Sequence, residues 1–202
     1  MSTTDYKILM MTSDPCLTGA RRRRDSGATA RDILQAAAEL FATHGYEGAG
    51  TREIAARAGV NVALISRYFG SKAGLFEAAV LPMLSIDGLI AGDMAQFGAR
   101  VAAYHLGSLP EKTADPILAA MRSAGSDEVA QALRAAIARQ LIDPLAARLS
   151  GPDASSRASR IIMLIAGVDV TVRILKVLPR GDEDRAAIRD GLAKSIQDLV
   201  DG

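Results

Sequence analysis

The sequence predicts an all-α protein in two parts: a three-helix N-terminal domain built around a helix-turn-helix, and a C-terminal helical domain. Three observations carry that expectation. Apolar residues recur at spacings of three and four along most of the chain, the period of helices with one buried face. Hydrophobic residues make up 49% of the 202 residues and aromatics only 4%, so Ala, Leu and Ile fill the interior. These are residues that sit well in helices. Alternating strand patterns are nearly absent, and clusters of Gly, Pro and Ser punctuate the helical stretches. The length suffices for one or two domains with a real core. The expected division is a disordered tail over 1–20, an N-terminal domain over 21–80 with its motif at about 50–69, and a C-terminal domain over 83–202.

Residues 1–20 mix Ser, Thr, Asp, Pro and Gly without period, the signature of a disordered tail. Cys16, the single cysteine, excludes an internal disulfide and a four-Cys zinc site and reads as an incidental thiol. A first helix is expected from about Thr29 to His44, with Ile33, Ala37, Leu40 and Phe41 on one face. Gly45 ends it as a C-cap and Tyr46 folds back on the core.

The stretch Thr51 to Phe69 reads as two short helices around a tight turn. Thr51 is placed to cap the first, and Glu53 suits the positive end of its dipole. Ile54, Ala55 and Ala58 form its apolar face. Gly59 takes the sharp turn, where a side chain would be strained. Asn61 caps the second helix, whose buried face is Ile65, Tyr68 and Phe69. Val62, Ala63, Ser66 and Arg67 occupy the opposite face. A short helix braced steeply by another, with its outer face free, fits the DNA major groove. A further helix from about Ser71 to Leu81 is interrupted by Pro82.

On Ile33, Ala36, Ala37, Leu40, Phe41, Gly45, Tyr46, Thr51, Ile54, Ala55, Ala58, Gly59, Val60, Tyr68, Phe69, Ser71, Lys72 and Leu75, the block over 28–80 resembles the DNA-binding domain of TetR-family bacterial regulators. The family often carries an aromatic where Ser66 stands here. The resemblance implies a homodimer on double-stranded operator DNA and a small-molecule effector, with no cofactor. It places Thr51, Tyr68 and Lys72 on the DNA backbone, beside Arg52 and Asn61. The outer face itself sends Val62, Ala63 and Arg67 to the bases, Arg67 being its one long donor. Arg21, Arg22, Arg23 and Arg24 are read as an arm into the minor groove, a solvated charge cluster being the other reading. The charge agrees: residues 21–72 hold nine Lys/Arg against five Asp/Glu, the remainder fifteen against eighteen.

Beyond Pro82 the pattern predicts helices near 91–105, 113–124, 126–149, 154–178 and 183–200. Pro116 fits a first turn, and Pro144 should kink the long helix. Met83, Met94, Phe97, Tyr104, His105, Met121 and Arg134 are candidates to line a ligand pocket, and plain core is the competing reading. The stripe Ile161, Ile165, Val168, Val172, Leu175, reaching on to Leu178, and the seam Ile188, Leu192, Ile196, Leu199 either fill the chain's own core or pair with a second copy. The family's C-terminal helix pair forms a four-helix dimer interface, which assigns these residues to it. Asp169 and Arg173 stand one turn apart, as an ion pair does.

An enzyme is poorly supported: there is no nucleophile–His–acid set, no Glu-x-x-His pair and no Gly-rich phosphate loop. The two histidines, His44 and His105, have no ligand spacing, so no metal is expected. The apolar run Ile8–Met11 is too short for a signal core, and Ile161–Val168 is far short of a membrane span. The expected location is the cytoplasm. The expected function is a repressor released by a small molecule, the alternative a constitutive or protein-controlled regulator without one.

Overall fold

The computed structural model describes residues 26–107, 114–177 and 181–202. Cys16, the arginines 21–24 and Leu178 lie outside them. Among the described residues all regular structure is helical: α1 (Ser26–Gly48), α2 (Thr51–Arg57), α3 (Ala63–Phe69), α4 (Lys72–Ala79), α5 (Asp87–Ile90), α6 (Phe97–Leu106), α7 (Pro116–Ser123), α8 (Asp127–Ile137), α9 (Asp143–Ala146), α10 (Ala154–Asp169) and α11 (Asp182–Asp201). Short 3₁₀ turns cover Leu81–Met83 and Met94–Gln96, and π-helical turns cover Ala138–Ile142 and Val170–Ile174. These residues form two compact units, one of 26–83 with 114–130, the other of 84–107 with 131–177 and 181–202.

In the first unit, Ile33, Phe41, Ile54, Leu75 and Phe76 are fully buried. The Phe76 ring meets those of Phe41 and Tyr46 edge-on, with centroids 5.1 and 5.7 Å apart. Such pairs add about 0.5–1.5 kcal/mol beyond the area they bury. Helix α1 runs past its expected end but kinks at Gly45 (φ 69°, ψ −179°). Helix α7 lies against α1 and so belongs to this unit, although it follows 84–107 in the chain. It starts as Pro116 suggests, with Asp115 Oδ1 accepting from the amides of Ile117 (2.9 Å) and Leu118 (3.3 Å).

The second unit is centred on Phe97, Val101, Leu145, Ala158, Ile161 and Ile196, all fully buried. Gln197 on α11 accepts the amide of Gly98 at 3.0 Å, fixing α11 against α6. Pro144 acts as expected on the long helix: α8 gives way to a wide turn over Ala138–Ile142 before α9 restarts around the proline. Proline has no N–H to continue the ladder, and a wide turn absorbs the mismatch. Asp169 and Arg173 do pair, at 2.8 Å, and His105 joins them through Nδ1 at 2.9 Å from the same carboxylate oxygen.

Three expectations need correction. The dimer stripe divides: Ile161, Ile165 and Ile196 lie inside this chain's own core, with Leu192 and Leu199 packed against it. Of the rest, Val168 and Val172 are half-buried and Leu175 and Ile188 exposed. A spacing of four marks any buried face and does not say which surface covers it. Thr51 is the first helical residue of α2 and not its cap, a position held by Gly50 without a side-chain bond. Tyr68, read into the buried face of its helix, is 36% exposed. The stretch Lys72–Ile90 is apolar enough in length and composition to cross a membrane. It is not one helix, however, and it buries Leu75, Phe76 and Ala79 in the first unit and Leu84 and Ile86 in the second.

Candidate nucleic-acid interface

Helices α2 and α3 carry the helix-turn-helix. Gly59, at φ 64°, makes the turn between them. Its amide donates to Ala56 O at 3.1 Å and that of Val60 to Ala55 O at 2.9 Å, closing the end of α2. Asn61, expected as the cap of α3, lies one residue before the N-cap position, which Val62 holds without a side-chain bond; its Oδ1 accepts the amide of Ala63 at 2.9 Å. Helix α3 is held by the buried Ile65, with Leu64 and Phe69 half-buried beside it. Its other face is open: Asn61, Val62, Ala63, Ser66, Arg67 and Tyr68 are all exposed.

Among the described residues, Arg52 and Arg67 have no ion-pair or hydrogen-bond partner, and both are exposed. A guanidinium without an internal partner offers its full set of donors to a ligand. Arg57 is used differently: it pairs with Glu39 of α1 at 2.5 Å and braces α2. Thr51 is half-buried at the start of α2. Ser71 caps α4, its hydroxyl accepting the Gly74 amide at 3.0 Å. Lys72 is half-buried, with Nζ 4.4 Å from the centroid of the Tyr46 ring and 3.5 Å from the Glu47 carbonyl oxygen.

The platform under Lys72 is fixed from a distant part of the sequence. Ser123 Oγ accepts the Tyr46 amide at 2.9 Å, and the Tyr46 hydroxyl donates to Glu128. The Ser126 hydroxyl donates to Glu47 Oε1 at 2.6 Å. Burial first, and then Glu128, push the Tyr46 phenol well above its ordinary range, so it stays a donor. Sequence reasoning missed Ser123, Ser126 and Glu128. Ser126 with Asp127 and Glu128 reads as an ordinary helix start, and no spacing ties it to Tyr46.

The expected pocket residues are divided between the two units. Met83, exposed, and Met121, half-buried, belong to the first unit. In the second, Phe97 is core, Met94 packs against that core, and Tyr104 and Arg134 are exposed. A cavity of about 300 Å³ in this unit is lined by Leu106, Gly107, Asp182, Arg185, Ala186, Ile188 and Arg189. The described residues contain no cluster of His, Cys, Asp and Glu able to hold a metal.

Residues 33–79 match the profile of "Bacterial regulatory proteins, tetR family", and residues 95–200 that of the "Tetracyclin repressor-like, C-terminal domain". The HTH-type transcriptional regulatory protein RaaS of Mycobacterium tuberculosis is 51% identical over 57 residues, 28% of this chain and 26% of that one. The chain spans 33% or less of the length of the curated relatives it matches. A transcriptional regulator of Agrobacterium tumefaciens superposes with a TM-score of 0.64 at 22% identity, over 85% of this chain and 99% of that one. NalD, the secondary repressor of the MexAB-OprM multidrug efflux pump in Pseudomonas aeruginosa, gives 0.61 at 20% identity, over 87% and 98%. At these identities the likeness shows the fold.

Proposed function

The chain belongs to the TetR family of bacterial regulatory proteins, a family of regulators and not of enzymes, and we propose that it is a repressor that binds a palindromic operator as a homodimer. The observation that carries this is the open face of α3, with Arg67 exposed and unpaired among the described residues. Val62, Ala63 and Arg67 meet the base edges. Thr51, Arg52, Tyr68 and Lys72 hold phosphates, Asn61 fixes the start of the reading helix, and Arg21–Arg24 supply the arm. Backbone contacts set register, and base contacts set sequence. Each phosphate neutralised releases about 0.9 counterion, so binding weakens steeply with salt.

One such helix buries too little surface for tight specific binding, so two half-sites are needed. The face free to pair two copies is the exposed one of α10 and α11. Met163 on α10 is 70% exposed, Ile188 on α11 is exposed, and so are Val170 and Leu175 just beyond α10. Gly167 and Gly191 lie on these helices, and a Cβ at either would meet nothing within 4 Å among the described residues. Mid-helix glycine costs about 1 kcal/mol relative to alanine. Nothing among the described residues offsets that, whereas a partner helix approaching closely would. The interface should exceed about 1,200 Å² in total.

A small molecule bound by the C-terminal part would release DNA by changing the spacing of the two reading helices. The burial of Phe97 in the core, with Met94 packed against it, favours the second reading, a regulator without a small ligand. Electrophoretic shift with the DNA upstream of the protein's own gene tests the DNA binding that both readings share. A shift that Arg67→Ala makes less selective among sequences is expected, and no shift on any upstream duplex overturns the reading.

A further inference from the structure

We infer that Glu128, acting through Tyr46, is a positioning residue for DNA binding that sets Lys72 against the phosphate backbone, an inference that rests on the DNA-binding reading above. Both groups that Lys72 leans on, the Tyr46 ring and the Glu47 carbonyl, belong to residues held by 123–128. The Tyr46 side chain is 1% exposed, so its hydroxyl depends on a protein partner, and Glu128 is that partner. A phenol donating to a carboxylate gains electron density in its ring, and a richer ring face holds an ammonium more strongly. A lysine already held in place loses less side-chain entropy when a phosphate arrives. Among the described residues the one side-chain hydrogen bond of Glu128, in the first turn of α8, is the one it accepts from Tyr46.

The segment carrying Glu128 is also the part of the first unit whose two chain ends lead into the second. Any event that draws 123–128 away from α1 removes the acceptor of Tyr46 and loosens Lys72 without touching the reading helix. The predicted loss is therefore one of backbone grip, equal for all sequences, and not one of base choice.

The test uses the full-length protein and a duplex that the wild type enriches from a random-sequence pool. Tyr46→Phe and Glu128→Gln should each weaken binding by about three- to tenfold, the range a weakened cation–π contact gives. The double variant should be no weaker than the worse single one. In a Lys72→Ala background both effects should vanish, and the salt slope should already be lower by about one unit. Helicity and thermal midpoint report folding. Glu128 is exposed, so Glu128→Gln keeps the test alive should Tyr46→Phe unfold the domain. Full-sized effects in the Lys72→Ala background, or unchanged affinity in both single variants, overturn the inference and leave DNA binding standing. A wild type that enriches no duplex overturns both.

Discussion

A Cβ placed on Gly45 would sit 2.6 Å from the carbonyl oxygen of Arg122. The kink in α1 and the approach of α7 therefore meet at one point. Arg122 in turn donates from Nη1 to the carbonyls of Ala42 (2.6 Å) and Thr43 (2.5 Å), just before the kink. Gly45→Ala should accordingly combine left-handed backbone strain with a clash against backbone, and lower stability by about 2–4 kcal/mol. Urea unfolding measures it, and a loss below about 0.5 kcal/mol would show that α7 can move aside.

Arg67 sits near the end of α3 with no hydrogen-bond or ion-pair partner among the described residues. Arg67→Ala should relax specificity at one position per half-site by roughly 1–3 kcal/mol, the value of a bidentate arginine–guanine pair. Competition among single-base operator variants reads this. Equal relative affinities before and after substitution would remove Arg67 from the base-reading set.

Assembly is better probed at Met163 than at Leu192, which packs on the protomer core and would confuse folding with pairing. Met163→Asp should give monomers that keep wild-type helicity and lose operator binding, because a charge in an apolar interface is desolvated without a partner. Sedimentation equilibrium decides it: a Met163→Asp dimer rules out the exposed face of α10.

Alkaline pH should expose the Tyr46 environment. Burial first, then Glu128, raise the phenol above its ordinary value of 10.0. The folded protein thus keeps a proton that the unfolded chain gives up, so stability falls as pH rises past about 10. Below that value the contribution is complete. Tyr46→Phe should be less stable at neutral pH yet lose less stability between about pH 8 and pH 11. Parallel losses in the two proteins would remove this role from Tyr46.

Local signals made much of this molecule legible. Gly59 and Ile65 mark turn and buried face within seven residues and the structure uses both in that way, while Asn61, read as the cap, sits one residue earlier and accepts the amide of Ala63. Pro144 announced the break in the long helix. The period through Ile161, Ile165 and Ile196 revealed burial but not its partner, because a core and a subunit interface ask for the same side chains. The polar bonds of Arg122, Ser126 and Glu128 were silent for a different reason. Single hydrogen bonds across some 80 residues leave no period, and each residue type has an ordinary local use as well.

The interleaving of the two units has a consequence for synthesis. Helix α1 leaves the ribosome long before α7, its neighbour in the folded unit, and residues 84–107 emerge in between. Until α7 follows, the carbonyls of Ala42 and Thr43 and the amide of Tyr46 lack their eventual partners. The DNA-reading part of a nascent chain is thus complete only once about two-thirds of the protein has been made. Pairings of such separation raise the entropic cost of closure and slow the final step of folding.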